Sequence, residues 1–433
     1  MTTPNSQKSF NLRSYLFFWL GQVQSQLGSL IVQFVIIFWI AIETESPFLL
    51  GIAAFAGFAP FIVLTPIAGV LVDRWNRKKI IAGMDFLQAV TTSFLVFLFW
   101  IEIVAVWHIL VILALRAVFQ AFHMPATEAI VPLLVPPDKL SRMNGLNWFM
   151  WGIIGIIGPV VAAVLLAYWK IYEILLLDPL TFVFAIIPVI LIKIPSVTQD
   201  QPTKEKQSFK TEFSEGIGFI RERRGLLALL SVFTAVNLFG QPFYTLFPLF
   251  VLVIHSGSKE DLAILMALSQ IGMLAGSVLM STWKGFRRNV VGVVFGILFG
   301  WVGYLIVIFA PIGDPNALLI IAAGMLLMGF TLPITNVSSQ TIWQQVVPPE
   351  KMGRVMSVRT TIAWFVIPIG MLLGGVLAEI IGIVTLFFVC AVLGLSCLAY
   401  SWFMTNLPNV EKALLTIGTE VPSVPPSIST SEI

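Results

Sequence analysis

Charged residues are scarce in this chain. They make up 11% of its 433 residues, whereas hydrophobic residues make up 58%. Soluble globular proteins carry about 25% charged residues. The shortage excludes an ordinary soluble enzyme, a disordered chain and a nucleic-acid-binding protein, and it indicates a protein that lies in a lipid bilayer.

Cysteine and histidine are also rare, with two and three residues respectively. Cys390 and Cys397 are seven residues apart in one apolar segment. On a helix they would share a face but lie too far apart for a disulfide. The sequence offers no disulfide framework, no clustered metal ligands and no phosphate-binding glycine loop. We therefore expect no cofactor, no metal and no enzymatic activity.

Apolar windows long enough to cross a membrane, about 20 residues each, recur along the chain. Their number and order predict an all-α integral membrane protein with twelve transmembrane helices. The windows lie at 14–41, 48–72, 80–101, 104–124, 145–168, 171–193, 226–254, 261–283, 290–311, 317–336, 357–381 and 383–406.

Lysine and arginine are distributed unevenly between alternate loops. If the N-terminus lies inside, all but three of the 25 basic residues fall on the inner side. The exceptions are Lys170 and Lys259 outside and Arg116 within the fourth span. Because basic loops stay on the cytoplasmic side, this bias predicts a cell (inner) membrane protein with both termini in the cytoplasm.

The spans divide into two halves of six around a polar segment. Val135-Pro-Pro-Asp-Lys-Leu-Ser-Arg142 and Val347-Pro-Pro-Glu-Lys-Met-Gly-Arg354 follow the fourth span of each half, which indicates an internal repeat. The predicted organisation is a cytoplasmic N-terminus at 1–13, a six-helix bundle at 14–193, a cytoplasmic central loop at 194–225, a second bundle at 226–406 and a disordered cytoplasmic tail at 407–433.

Apolar residues at helical spacing lie near the C-terminal end of the central loop. These residues are Phe209, Phe213, Ile217 and Ile220. Their spacing predicts a short helix on the inner membrane surface.

The loop after the second span combines glycine with charge. It reads Gly69-Val-Leu-Val-Asp73-Arg74-Trp-Asn-Arg77-Lys78 and resembles the signature loop of the major facilitator superfamily, with Asn76 in place of the usual glycine. The resemblance implies a transporter of a small-molecule substrate that works by alternating access of two bundles. It also implies that Asp73 pairs with basic residues and a facing helix end. The residues to which it gives a gating role are Gly69, Asp73, Arg74, Arg77 and Lys78.

Two further segments resemble the macrolide-efflux branch of drug–proton antiporters. They are Pro125-Ala-Thr-Glu-Ala and Leu177-Asp178-Pro-Leu-Thr-Phe. The glycine motif of the fifth span has Ala162 and Ala163 where antiporters usually have a glycine pair. The motif of the fourth span has Gln120 in place of its usual glycine. The resemblance implies proton-coupled efflux of hydrophobic or amphipathic compounds by a monomer. Transport of a defined metabolite or lipid, such as a siderophore or a lysophospholipid, is the alternative.

Polar residues recur at intervals of three and four in spans one, four, seven and ten, which line the cavity in this superfamily. Such intervals place them on one helix face, and amides that face lipid are costly. We expect these residues to line the cavity, with bonding between helices as the alternative. They are Gln22, Gln26, Gln33, Gln120, Asn237, Gln241, Tyr244, Thr331 and Thr335.

Charges within the spans are functional candidates. An uncompensated arginine at mid-membrane costs at least about 2.5–3.5 kcal/mol, so a carboxylate, a substrate or water must face Arg116. Asp178 and Glu128 are the available carboxylates, and Asp85 lies nearer the inner end of its span. Capping of the helix after Pro179 is the alternative role for Asp178, and solvation at the inner surface that for Glu128. The candidates for proton coupling are Arg116, His123, Glu128 and Asp178.

Overall fold

The computed structural model describes residues 12–136, 139–192 and 209–411, and their regular structure is helical. A π-helical turn, Phe250–Ile254, continues α10, and a short 3-10 turn, Leu407–Asn409, follows α15. The helices are α1 (Leu12–Thr44), α2 (Pro47–Arg74), α3 (Arg77–Trp100), α4 (Val106–Glu128), α5 (Val131–Leu134), α6 (Leu140–Tyr168), α7 (Ile171–Leu175), α8 (Leu177–Leu191), α9 (Phe209–Glu222), α10 (Arg224–Leu249), α11 (Lys259–Thr282), α12 (Asn289–Ile308), α13 (Ala317–Val346), α14 (Pro349–Ile381) and α15 (Ile383–Met404).

Twelve helical segments in the described ranges are long and apolar enough to cross a bilayer, which confirms the predicted count and order. The sixth consists of α7 and α8 together. The ends differ from prediction around Pro348: α13 continues to Val346 rather than 336, and α14 begins at Pro349 rather than 357. Helical hydrogen bonding continues through polar residues, whereas a hydropathy window stops at them.

The tight turn between the last two spans occurs at a single glycine. Gly382 has a φ of 81° and donates its N–H to Ala378 O at 2.9 Å. A positive φ is accessible to glycine at little cost, so one residue is enough to end α14 and start α15.

The helix ends form two faces. We call the face near Arg77, Arg223 and Lys351 the basic face, and the face near Lys259 and Glu379 the far face. At the far face, charges from the second half lie on helix ends of the first half. Glu379 accepts hydrogen bonds from Ser46 Oγ and Phe48 N, both at 3.3 Å, at the start of α2. Lys259 Nζ donates to Leu166 O, near the end of α6, at 2.6 Å.

Each of these charges has the sign that the adjoining helix end attracts, negative at an N-terminus and positive at a C-terminus. One turn further in, the backbones of α2 and α14 touch: a Cβ on Gly51 would lie 2.7 Å from Gly375 Cα. The two halves are therefore closed against each other at the far face.

The helix predicted in the central loop is present as α9. Its Phe219 and Ile220 are buried, and Glu215 forms an ion pair with Arg354 of α14. Arg354 belongs to the repeated Val-Pro-Pro segment of the second half. The helix thus packs on the second half through part of its apolar face instead of lying only on the membrane surface.

Residue 407 is not, as the sequence predicted, the start of a disordered tail. Leu407 and Val410 are buried, and Glu411 accepts hydrogen bonds from Asn289 N at 2.8 Å and Val290 N at 3.5 Å. Residues 407–411 are therefore part of the second half. The rest of that prediction, at 412–433, lies outside the described residues.

Gly329 marks the closest approach between α11 and α13, and its replacement tests this packing. A Cβ at Gly329 would lie 1.9 Å from Ser269 O, a backbone atom that can move only with its helix. Gly329→Ala is expected to destabilise the protein by about 1–3 kcal/mol, as overpacked cores do. In Gly240→Ala, the control, the new Cβ meets no atom within 4 Å. Thermal unfolding of both variants in detergent measures the difference; equal melting temperatures would contradict this packing.

Candidate functional site: a buried ion pair in the first half

An ion pair lies in the interior of the first half. It joins Arg116 of α4 to Asp178 in the first turn of α8, and the two side chains are 13% and 5% exposed. Arg116 Nη1 donates to Asp178 Oδ2, and Nη2 lies 3.4 Å from Oδ1. The sequence analysis named Asp178 and Glu128 as possible partners of Arg116, and in the structure the partner is Asp178.

Two hydroxyl groups complete the site. Ser29 Oγ of α1 donates to Asp178 Oδ1 at 2.6 Å, and Thr92 Oγ1 of α3 donates to Oδ2 at 2.7 Å. Arg116 also contacts both hydroxyls, with Nη2 at 3.2 Å from Ser29 Oγ. Both carboxylate oxygens are thus hydrogen-bonded by groups from three other helices, which is what a buried charge requires.

The start of α8 explains why Asp178 is available for this pair. Leu176 occupies the N-cap without a side-chain hydrogen bond, and Pro179 follows Asp178 within the first turn. The Asp178 carboxylate therefore does not cap the helix, which was the alternative role for it. A negative charge in the first turn of a helix is also favourable.

Glu128 is not brought to Arg116. It is the last residue of α4, exposed, twelve residues from Arg116 and so about 18 Å along the axis. His123 instead pairs with Asp85 of α3, with Nε2 and Oδ1 3.0 Å apart and side chains 12% and 5% exposed. This second pair joins the candidate His123 to Asp85, which the sequence analysis placed only near the inner end of its span.

The loop with the proposed gating role lies at the basic face. Arg77 Nη1 donates to Ala129 O at 3.1 Å, and Lys78 Nζ donates to Ile190 O at 2.6 Å and Ile192 O at 3.0 Å. Both cations therefore lie on the C-terminal ends of neighbouring helices, where positive charge is favoured. Gly69 has open space where a Cβ would lie. The side chains of Asp73 and Arg74 are outside the described part, so their gating role stays a prediction.

In the first half the predicted polar stripe is only partly enclosed. Gln22, Gln26 and Gln120 are half-buried, Gln33 is exposed, and Gln22 Nε2 is buried without a hydrogen-bond partner. Their position is compatible with cavity lining, which stays a prediction.

In the second half several residues of the stripe join helices to each other. Asn237 Nδ2 donates to Ala363 O at 2.7 Å and links α10 to α14, while Gln241 packs on Gly370 of the same helix. Tyr244 is exposed.

Thr331 and Thr335 lie against a neighbouring helix. Both are buried, and they pack on Gly300 and Gly296 of α12. Small hydroxyl residues at helical spacing suit close helix packing as well as a cavity wall. Their cavity-lining role therefore stays a prediction.

No cluster of three or more histidine, cysteine, aspartate or glutamate side chains gathers within the described ranges, so these residues offer no site for a metal ion.

The architecture defines the class: a multi-pass helical membrane protein with two halves of six spans. Solved structures share this fold at low identity. One is a bacterial homologue of the human lysosomal transporter Spinster, with a TM-score of 0.69 and 15% identity over 95% of this chain and 99% of that chain. Another is a bacterial homologue of the iron transporter ferroportin, with a TM-score of 0.68 and 17% identity over 90% and 98%.

Sequence comparison gives the family. The family model described as Major Facilitator Superfamily matches residues 18–369 and 300–430. Macrolide efflux protein A of Streptococcus pyogenes is 31% identical over 365 residues, 84% of this chain and 89% of that protein. The staphyloferrin A transporter of Staphylococcus aureus is 23% identical over 417 residues, 92% and 96% of the two chains. The chain belongs to the major facilitator superfamily and is a membrane transporter.

A double-mutant cycle tests the ion pair. Asp178→Asn leaves a buried guanidinium without its counter-ion, and Arg116→Gln leaves a buried carboxylate. Each single variant is expected to lose about 3–5 kcal/mol, the range for breaking a buried pair. The double variant should be more stable than either single variant, because both charges are then gone. Unfolding in detergent gives the three values, and additive losses would show that the residues do not interact.

Proposed function

We propose that this transporter exports hydrophobic or amphipathic compounds in exchange for protons, by alternating access of its two halves. The observation that carries the proposal is the buried Arg116–Asp178 pair. A proton-coupled carrier needs an intramembrane group whose charge changes during the cycle, and a carboxylate held against a guanidinium is such a group.

The coupling step follows from the charges. With Asp178 ionised the pair is neutral, and its hydrogen bonds hold α1, α3, α4 and α8 together. When Asp178 takes up a proton, one positive charge is left without a counter-ion, which is costly in a buried site. The bundle then relieves this cost by a rearrangement that exposes Arg116 to water or to substrate. Loss of the proton restores the pair, so each cycle links one protonation event to one change of conformation.

The proposed cargo rests on relatives and on charge. The relative from Streptococcus pyogenes is named for macrolide efflux, and the Mycolicibacterium fortuitum protein at 25% identity is named a multidrug efflux pump. The charges of Arg116 and Asp178 cancel, so the pair adds no net charge to the first half. This neutrality favours neutral or weakly cationic compounds with apolar bulk.

A siderophore or another defined metabolite is the second candidate cargo. The observation in its favour is the staphyloferrin A transporter, whose alignment covers 92% of this chain. Exchange assays in liposomes, with a labelled macrolide in one arm and a labelled siderophore in the other, decide between the two cargoes.

The basic face is proposed to lie in the cytoplasm of a cell membrane, with both termini on that side, and the protein to act as a monomer. A tag at residue 430 that reacts in intact spheroplasts would contradict this orientation. Asp73 is proposed to latch the basic face shut without touching substrate. Unchanged spin-label distances across that face in Asp73→Asn would refute the latch.

The coupling role of Arg116 is tested in proteoliposomes with an imposed pH gradient. Arg116→Gln is expected to abolish transport driven by the gradient, because protonation of Asp178 no longer leaves a charge uncompensated. Exchange of labelled for unlabelled substrate should persist. Arg359→Gln is the matched control: Arg359 lies in another span, where its Nη1 donates to Gln340 Oε1 at 2.6 Å, and its loss should spare the pH response. Gradient-driven transport near the wild-type rate in Arg116→Gln would make Arg116 a structural residue.

A further inference from the structure

The two intramembrane pairs of the first half form consecutive layers between α3 and α4. The upper layer contains Thr92 and Arg116. Asp85 precedes Thr92 by seven residues and His123 follows Arg116 by seven. Seven residues are two helical turns, and the two helices run in opposite directions, so both steps lead about 10 Å towards the basic face. Asp85 and His123 therefore form a second layer below the Arg116–Asp178 pair.

The lower layer is incompletely bonded. His123 Nε2 and Asp85 Oδ1 are 3.0 Å apart but are not aligned as a hydrogen bond, and Asp85 Oδ2 is buried without a partner. The upper carboxylate, in contrast, is hydrogen-bonded at both oxygens. A buried polar atom without a partner costs about 1–3 kcal/mol, more when charged. Asp85 Oδ2 therefore keeps its capacity to accept a proton or a hydrogen bond.

A third unpartnered atom lies on the same level of the neighbouring helix. Gln22 precedes Ser29 of the upper layer by seven residues on α1, and its Nε2 is buried without a hydrogen bond. Helices α1, α3 and α4 each contribute one polar side chain to the upper layer. Each of them thus carries a second polar residue two turns closer to the basic face. This repetition favours a proton route that continues from the upper layer to the lower one.

An apolar layer separates the lower pair from the basic face. Ile81, one turn before Asp85, and Ala126, one turn after His123, belong to a buried cluster with Val72 and Val189. This cluster therefore separates the lower pair from the basic face in this conformation.

The other charges around the lower pair come from few elements. In the helices that pack on α3 and α4, α8 contributes Asp178 and α7 contributes Tyr172 and Glu173 at the far face. Asp73 and Arg74 end α2, and their side chains are outside the described part. The remaining titratable groups of α3 and α4 themselves are Arg77, Lys78, Lys79, His108, Arg116 and Glu128. Among the described residues, the carboxylate that pairs with His123 is that of Asp85.

We propose that Asp85 and His123 form a second proton-binding site, in series with Asp178 and on its basic-face side. This inference rests on the proposed proton coupling. A proton carried by the Asp178 carboxylic acid passes to the neutral His123 imidazole across the gap of about 10 Å, through intervening water, on its way to the basic face. The carboxylic acid becomes a carboxylate, the imidazole becomes an imidazolium, and no other bond forms or breaks. His123 is thus the acceptor that takes the proton from the coupling carboxylate.

Proton binding is measured without any transport. The chain has three histidines, His108, His123 and His255, so 15N-histidine labelling gives few signals, each assigned by its loss in the corresponding His→Gln variant. The imidazole signal of His123 is expected to respond to pH within the range of about 5 to 8, where histidine ordinarily changes charge. Asp85→Asn should move the midpoint by at least about one pH unit, because a carboxylate at this distance stabilises the imidazolium. A His123 signal that does not respond to pH, or a midpoint unmoved by Asp85→Asn, would overturn the site.

Transport then tests the series arrangement. His123→Gln should reduce transport driven by a pH gradient at least tenfold and leave substrate exchange within about twofold, whereas the control His255→Gln should change neither. Gradient-driven transport at the wild-type rate in His123→Gln would overturn the acceptor role. If the wild-type protein itself ignores the gradient, the proposed function fails, and the NMR titration alone still decides whether Asp85 and His123 bind a proton.

Discussion

A guanidinium in the membrane interior must be neutralised where it lies, and the first half is organised around this requirement. Neither lipid nor apolar side chains can take up the charge of Arg116, so the counter-ion must come from a neighbouring helix. Asp178 provides it, and Ser29 and Thr92 fill the remaining bonds of the carboxylate. One ion pair thereby connects α1, α3, α4 and α8, and any change in its charge acts on four helices at once.

The two halves differ in the charged groups that they bury. In the second half, α11, α12 and α13 approach each other through glycines, as at Gly329, and neutral bonds such as Asn237 to Ala363 O link α10 to α14. The first half instead places two pairs of opposite charge inside its bundle. Neutral close packing suits a rigid body, whereas buried pairs respond to protons. On the proposed mechanism, proton coupling involves the first half, and the second half serves as the body against which it moves.

Closure at the far face adds a constraint on that movement. Glu379 and Lys259 lie on helix ends of the opposite half. Contacts of charged side chains near a protein surface contribute about 1 kcal/mol or less each. They can therefore bias the conformation without locking it, and a buried change at Asp178 is large enough to overcome them.

Much of the fold could be predicted from the sequence, because a span must be apolar over a length that the bilayer fixes. The number of spans, the two halves and α9 follow from that rule and from helical periodicity. The partner of Arg116 could not be predicted in this way, because Asp178 is 62 residues away. Which helix faces meet depends on how each helix is rotated in the bundle. Thr331 and Thr335 show the same limit, since their spacing fits a cavity wall and a helix contact equally well. Asp85 and His123 are visible in the sequence, but their pairing is not.

The central claim is that substrate movement and protonation of Asp178 are one event. Proton flux that accompanies substrate flux tests it most directly, recorded with a pH-sensitive dye trapped in proteoliposomes while a substrate gradient, without any pH gradient, drives transport. The account predicts that the wild-type protein moves protons in the direction opposite to the substrate, and that Asp178→Asn moves substrate without protons. Substrate flux in the wild-type protein with no change in lumenal pH would contradict it.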